Sequence, residues 1–189
     1  MTPPLRDRLV ASAVEMTLAH GWAQVTMAAL AAEVGVSRQT VYNEIGTKPA
    51  LAEAMILAEL DRFLGVVAHA FDSHPDDLVG AIEAAARGVL DVAQGNDLLK
   101  AVVSATHGAD TELLPLLTTH AEPLLTAAKV VVAERVATYD VGLDPERLDA
   151  AIDMVVRVVL SHVMQPSGNP VATAEDLAWL AARVLLPHD

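Results

Sequence analysis

The sequence has no cysteine and few aromatic residues. Without cysteine the chain can form neither disulfides nor thiolate–zinc sites, and thiol redox chemistry is excluded. Aromatic residues make up 3% of the 189 positions, whereas hydrophobic residues, chiefly Ala, Val and Leu, make up 53%. Such a composition favours helices packed on helices over an aromatic-rich β-sandwich.

Membrane, targeting and catalytic signatures are also missing. No uncharged apolar run approaches the roughly 18 residues of a membrane span, and the first ten residues lack the pattern of a secretory signal. The chain contains no Gly-rich phosphate loop, Gly-x-Ser-x-Gly elbow, His-Glu-x-x-His pair or His-x-x-x-His pair. We therefore expect a soluble, cytoplasmic protein that is not an enzyme and has no cofactor, metal site or membrane partner.

Positive charge is scarce, and the excess of acid is unevenly placed. The formal net charge is −13. Residues 1–50 hold four basic and four acidic side chains, so the whole excess lies in residues 51–189. An acidic body discourages DNA from binding in other orientations, whereas a neutral N-terminal segment is less basic than a typical DNA-binding domain.

The hydrophobic periodicity predicts an all-α fold. Apolar residues recur at helical spacing, and no segment shows sustained alternation with β-branched and aromatic residues, so no strand is assigned. Thr173 is expected to cap the last helix. The predicted helices span residues 5–20, 27–34, 38–44, 48–71, 76–94, 97–106, 111–119, 123–139, 145–164 and 173–186.

Residues 26–48, TMAALAAEVGVSRQTVYNEIGTK, read as two short helices joined by a tight turn, with a third helix at the end. Thr26 and Ser37 can act as N-caps, and Gly35 suits a left-handed turn. In a helix-turn-helix unit the first helix braces the second, which reads bases in the major groove. The spacing alone is equally compatible with a short helical hairpin that carries solvated polar groups.

The second helix of this segment has a polar outer surface. Val36 and Val41 can pack inward, which leaves five outer side chains: Arg38, Gln39, Thr40, Tyr42 and Asn43. Gln and Asn can pair with adenine, Thr can contact the thymine methyl, and Arg and Tyr can hold phosphates. Three further residues, Thr26, Ser37 and Lys48, lie at predicted helix N-termini, which favour a phosphate.

A longer pattern supports the DNA-binding interpretation. It consists of Gly21, Thr26, Leu30-Ala31, Val34-Gly35-Val36-Ser37, Thr40-Val41-Tyr42, Lys48 and Leu51. With this pattern, residues 5–51 resemble the N-terminal domain of the tetracycline-repressor (TetR) family of bacterial transcriptional regulators. Carried over by position, the resemblance makes Thr26, Ser37, Gln39, Thr40, Tyr42, Asn43 and Lys48 DNA contacts.

The resemblance implies an all-helical homodimer with two domains: residues 1–47 for DNA binding, and the larger 48–189 for ligand binding and dimerisation. The implied function is a ligand-responsive repressor, which binds a near-palindromic double-stranded operator as a dimer and is released by a small apolar effector. The alternative is a helical protein-interaction module with weakened or lost DNA binding.

Glu44 departs from the family pattern. It stands where the family often has a neutral or basic residue, and three outcomes are open: it pairs with a neighbouring cation, accepts from cytosine, or weakens binding.

Apolar stripes on the last two helices agree with the implied dimerisation, although the same stripes could pack within one chain. The residues proposed for the interface are Leu148, Ile152, Val155, Val159, Val163, Leu177, Leu180 and Val184.

The implied ligand pocket would lie among the middle helices. Aliphatic surroundings without many aromatic residues suggest an apolar ligand, such as a fatty-acyl-like molecule or an apolar drug. Each candidate contact could instead be a surface residue or a satisfied core residue. The candidates are Thr106, His107, His120, Met154, Arg157 and His162.

Overall fold

The computed structural model describes residues 3–104, 112–166 and 168–185. These residues form α-helices joined by loops and one 3₁₀ turn, and no strand occurs among them, which confirms the predicted all-α class. The helices are α1 (Leu5–His20), α2 (Met27–Val34), α3 (Arg38–Ile45), α4 (Lys48–Asp72), α5 (Leu78–Gly95), α6 (Asp97–Ser104), α7 (Leu114–Leu117), α8 (Glu122–Val136), α9 (Pro145–Met164) and α10 (Pro170–Leu185). None of the described helices is long and apolar enough to cross a membrane.

The packing divides the chain into two compact units. One comprises the described residues of 1–60 and 97–121, and the other those of 61–96 and 122–189. The division therefore falls within α4, and α6 and α7 belong to the first unit although they follow α5 in the chain. The predicted domain boundary between residues 47 and 48 concerns function rather than compactness and stays a prediction.

In the first unit, α1 packs against α2, α3 and α6. Leu9 of α1, Leu30 of α2, Val41 of α3 and Leu51 of α4 are each 0% exposed. Fully burying such a side chain is worth about 1.5–3 kcal/mol. This shared core fixes the positions of α2 and α3, which are too short to be stable helices in isolation.

In the second unit, α5 packs along α10 and against α9, while α8 packs on α9. Gly88 of α5 allows a close approach to α4, because a Cβ there would lie 2.6 Å from Cγ1 of Val66. The buried core residues of this unit include Val67, Phe71, Leu78, Ala81, Ile82, Val89, Val136, Ala181 and Leu185.

The phenol of Tyr139 secures the end of α4. Its hydroxyl donates to the carbonyl of His74 at 2.7 Å, and its ring meets Phe71 edge-on with centroids 6.0 Å apart. Burial raises the pKa of Tyr139, and the nearby carboxylates of Asp76, Asp77 and Asp72 raise it further.

The structure corrects three predicted helices. The helix predicted over residues 123–139 ends at Val136. The last helix begins at Pro170 rather than after Thr173, because proline suits the first helical position and the Asn169 side chain accepts from the Val171 amide at 2.8 Å. Within the described part of the predicted helix 111–119, only Leu114–Leu117 is α-helical, and the helix ends there because Thr118 leaves helical geometry with φ −126° and ψ −88°.

Candidate nucleic-acid interface

Local hydrogen bonds define the turn between α2 and α3. Thr26 Oγ1 accepts from the Ala29 amide at 3.1 Å, and Ser37 Oγ accepts from the Thr40 amide at 3.0 Å, so both residues cap their helices as predicted. Gly35 has φ 76° and ψ 36°, a left-handed conformation that favours glycine. Its amide and that of Val36 both donate to the Ala31 carbonyl at 3.0 Å, which ends α2 sharply.

Helix α3 has a buried inner face and a polar outer face. Val41 and Ile45 are buried, at 0% and 6% exposed. Of the α3 residues predicted to contact DNA, Arg38, Gln39, Tyr42 and Asn43 are exposed and Thr40 is half-buried. The side chains of α3 that were predicted to contact DNA are therefore accessible, and of the three other predicted contacts Thr26 and Ser37 are exposed and Lys48 is half-buried.

Four residues of that surface form two pairs, each one helical turn apart. Arg38 Nη2 donates to Tyr42 Oη at 3.2 Å, with the guanidinium carbon 5.4 Å from the ring centroid. Gln39 Nε2 donates to Asn43 Oδ1 at 2.9 Å. Each pair restricts rotation of its side chains, which lowers the entropy that DNA contact would cost. The Gln39 side-chain oxygen and the Asn43 side-chain nitrogen take no part in this bond. An acceptor and a donor of this kind match the donor and acceptor that adenine presents in the major groove.

Lys48, the first residue of α4, contacts Trp22. Its Nζ donates to the Trp22 carbonyl at 3.0 Å and lies 4.6 Å from the centroid of the indole. Trp22 itself is 1% exposed, and its Nε1 donates to Glu112 Oε2 at 2.9 Å. These contacts hold the half-buried Lys48 side chain beside the turn after α1.

The sequence did not predict the contacts of two arginines near the start of α1. Arg6 Nη1 donates to the main-chain carbonyl of Glu44 at 2.8 Å, and Arg8 Nη2 donates to that of Val34 at 3.3 Å. The last turns of α2 and α3 contain no basic residue of their own. Because a cation stabilises a helix C-terminus, the two arginines before these helices were the nearest signal of such a contact. Arg6 therefore contacts the main chain of Glu44, and Glu44 itself is exposed.

The residues proposed for ligand binding are dispersed. Thr106 and His107 lie outside the described residues, and His120 is exposed in the first unit. On α9, Met154 is 68% exposed, and the half-buried His162 places Nδ1 2.8 Å from the Val158 carbonyl.

Arg157 takes part in an ion-pair network between α8 and α9. Its Nε donates to Asp153 Oδ2 at 2.7 Å, and Lys129 Nζ lies 3.4 Å from Asp153 Oδ1 and 3.3 Å from Asp149. The hydrogen bond from Arg157, followed by that from Lys129, holds the pKa of Asp153 below its usual value despite opposing desolvation. Arg157 therefore already has a carboxylate partner within the protein.

The residues proposed for the dimer interface occupy two different surfaces. Ile152 and Leu177 are each 5% exposed, so little of their surface is left for a partner. Val155 is half-buried, and three others pack on the core of the second unit: Leu148, Val159 and Val163. By contrast, Leu180 and Val184 are 45% and 42% exposed.

Further apolar side chains are exposed on the same two helices. On α9 these are Met154 and Val158, and on α10 they include Trp179, which is 60% exposed with the Arg183 guanidinium 5.1 Å from its ring centroid. The stripe predicted on α9 therefore packs largely on the protein's own core, while Met154 and Val158 of the same helix are exposed.

The capped turn and the exposed polar helix define a helix-turn-helix DNA-binding protein. A family model described as the bacterial tetracyclin repressor C-terminal domain matches residues 77–183, and one described as bacterial regulatory proteins, tetR family, matches residues 9–55. The chain belongs to the TetR family of transcriptional regulators, whose members are not enzymes.

Two relatives extend this similarity over nearly the whole chain. The HTH-type transcriptional regulator AlkX of Mycobacterium tuberculosis is 27% identical over 176 residues, which cover 93% of this chain and 82% of the relative. The crystal structure of the TetR family repressor AlkX from a Dietzia strain, implicated in biodegradation of n-alkanes, has a TM-score of 0.77 and 26% identity, covering 97% of this chain and 100% of that one.

A third match is a likeness of fold alone. The regulator FadR from Bacillus subtilis, solved in complex with stearoyl-CoA, has a TM-score of 0.57 and 14% identity, covering 92% of this chain and 96% of that one.

Proposed function

We propose that the protein is a ligand-responsive repressor that binds a near-palindromic operator as a homodimer and leaves it when an apolar small molecule binds. The observation that carries this proposal is the outer surface of α3, where Arg38, Gln39, Tyr42 and Asn43 are exposed together over a buried inner face. Family membership supports the binding of DNA and of a small effector.

Within that surface, the amides of Gln39 and Asn43 read bases, because both can pair with adenine. Arg38 and Tyr42 hold the phosphate backbone and thereby set the register. The helix N-termini capped by Thr26 and Ser37 and that beginning at Lys48 supply further phosphate contacts. In this assignment residues 1–47 form the DNA-binding domain, and residues 48–189 bind the ligand and dimerise.

The outward stripes of α9 and α10 support the homodimer. Six of the ten exposed large hydrophobic side chains among the described residues lie on these two helices, and an exposed apolar surface favours a partner. We assign the contact to Leu180 and Val184 of the original set, and we add the exposed Trp179, Met154 and Val158. Two helices from each subunit would then form a four-helix bundle.

The effector we propose is a molecule with a long aliphatic chain. Two relatives are named AlkX, one of them implicated in n-alkane biodegradation, and a protein of like fold binds stearoyl-CoA. The aliphatic composition of this chain, with only 3% aromatic residues, suits such a ligand better than a flat aromatic one. The proposed repressor acts in the cytoplasm, where its operator lies.

Fluorescence anisotropy with labelled duplex from the gene's own upstream region tests the proposal. We expect binding that tightens as salt is lowered, since phosphate contacts release counterions. Stearoyl-CoA should release the labelled duplex, whereas coenzyme A alone should not. Failure to bind any part of that region at low salt would overturn the repressor function, and release by both compounds alike would overturn the aliphatic effector.

Two substitutions separate base contacts from backbone contacts. Gln39→Ala should relax the preference at particular bases, with a loss of about 1–3 kcal/mol on the preferred operator. Tyr42→Ala should weaken binding to all sequences alike. The measurement is competition by single-base operator variants, and equal penalties from both substitutions at every position would contradict these roles.

A further inference from the structure

Arg6 and Arg8, near the start of α1, each reach the C-terminal end of one helix of the helix-turn-helix. Arg6 donates to the Glu44 carbonyl in the last turn of α3, and Arg8 donates to the carbonyl of Val34, the last residue of α2. The last four carbonyls of a helix have no partner within it, and the helix dipole places partial negative charge there. A guanidinium at the C-terminal end of a helix donates to such a carbonyl and also offsets the partial negative charge.

The contact matters more for α3 than its exposed position suggests. The helix has eight residues, and helices this short are not stable by their own hydrogen bonds. Val41 and Ile45 are buried on its inner face, and the Gly46 amide donates to the Tyr42 carbonyl at 2.9 Å. Arg6 ties the last turn to α1 by a charged hydrogen bond at 2.8 Å.

We propose that Arg6 is a positioning residue for DNA recognition, which acts through the Glu44 carbonyl and not by holding phosphate itself. This inference rests on the proposed function, in which α3 reads the operator. By fixing the last turn of α3, Arg6 fixes Asn43, and the hydrogen bond at 2.9 Å from Gln39 to Asn43 extends the order one turn back along the reading surface. Base contacts need positions accurate to about 0.5 Å, so a loosened last turn weakens discrimination.

The matched pair Arg6→Met and Arg8→Met tests this role. Each variant keeps an unbranched apolar stem and removes one positive charge from α1, together with one carbonyl contact, which lies on α3 for Arg6 and on α2 for Arg8. We expect Arg6→Met to weaken operator binding about three- to thirtyfold, from a helix-end charge lost in both heads of a dimer. Its penalties for wrong bases should shrink, whereas Arg8→Met, whose contact ends on α2, should keep them.

The salt dependence distinguishes positioning from phosphate contact. If Arg6 only positions α3, the slope of log affinity against log salt is the same in both variants. If Arg6 holds a phosphate, the slope is shallower in Arg6→Met than in Arg8→Met by about 0.9 for each DNA-binding domain of the dimer. That result would overturn the positioning role.

Hydrogen exchange without DNA keeps the test independent of operator binding. Amides at the end of α3 should exchange faster in Arg6→Met and at the wild-type rate in Arg8→Met. Unchanged exchange in Arg6→Met would show that the contact does not hold the helix. Failure of the wild-type protein to bind any duplex would instead defeat the proposed function, while faster exchange with intact base discrimination would defeat the positioning role alone.

Discussion

The hydroxyl of Tyr139 has a well-defined energetic role at the scale of one residue. Replacing it by Phe removes the donor to the His74 carbonyl and should cost about 1 kcal/mol of unfolding free energy. The ring and its edge-on contact with Phe71 remain, so the change reports the hydrogen bond. Urea unfolding near neutral pH measures the difference.

The raised pKa of Tyr139 gives this substitution a pH dependence. Because the folded-state pKa lies above the unfolded value of about 10, the contribution is complete below that pH and is lost as pH rises through the folded pKa. The stability gap between wild type and Tyr139→Phe should therefore narrow above about pH 10. A gap that stays constant through this alkaline range would contradict the assignment.

At the scale of an element, two glycines allow a comparison of the same substitution in opposite settings. Gly35 has φ +76° and open space around its Cβ position, so Gly35→Ala should cost about 1–2 kcal/mol from backbone conformation alone. Gly65 lies inside α4, also with nothing within 4 Å. There Gly65→Ala should stabilise by about 0.5–1 kcal/mol, because alanine restricts the unfolded chain.

Thermal and urea unfolding of both variants measure the two effects. Gly35→Ala should also weaken operator binding, since the turn sets the angle between α2 and α3. The proposed role of the turn would be wrong if the two variants shifted stability in the same direction.

The sequence predicted local features of these elements better than tertiary ones. Thr26 and Ser37 were recognisable as caps because capping depends on residues within three positions of each other. The contact between Arg6 and Glu44 was not, because it joins positions 38 apart. For α9, periodicity indicated an apolar stripe correctly but not what it packs against, and the buried Ile152 shows that much of it faces the protein's own core.

At the scale of the whole molecule, the exposed stripe of α10 leads to a test of assembly. Leu180→Glu places a charge in the proposed interface and should leave a species of 19.9 kDa at micromolar concentration, whereas the wild type should have twice that mass. Val130→Glu is the matched control, since Val130 is 50% exposed on α8. Light scattering measures both variants, and a Leu180→Glu protein that remains dimeric would exclude this face.

Charge is also organised at this scale. Residues 1–50 are neutral and residues 51–189 carry the whole −13. The protein therefore lacks the broad positive field that gives many DNA-binding proteins their non-specific affinity. Its affinity for an operator would depend on a few positioned contacts, so the fixed geometry of α3 matters more for binding.

The placement of the two tryptophans gives the protein two distinct fluorophores. Trp22 is shielded from water within the first unit, with its indole N–H bound to a carboxylate, while Trp179 is largely exposed on α10. Their emission should differ in wavelength and in access to a dissolved quencher. Changes in the DNA-binding head and association of subunits can thus be followed by separate optical signals, without attaching a dye to either.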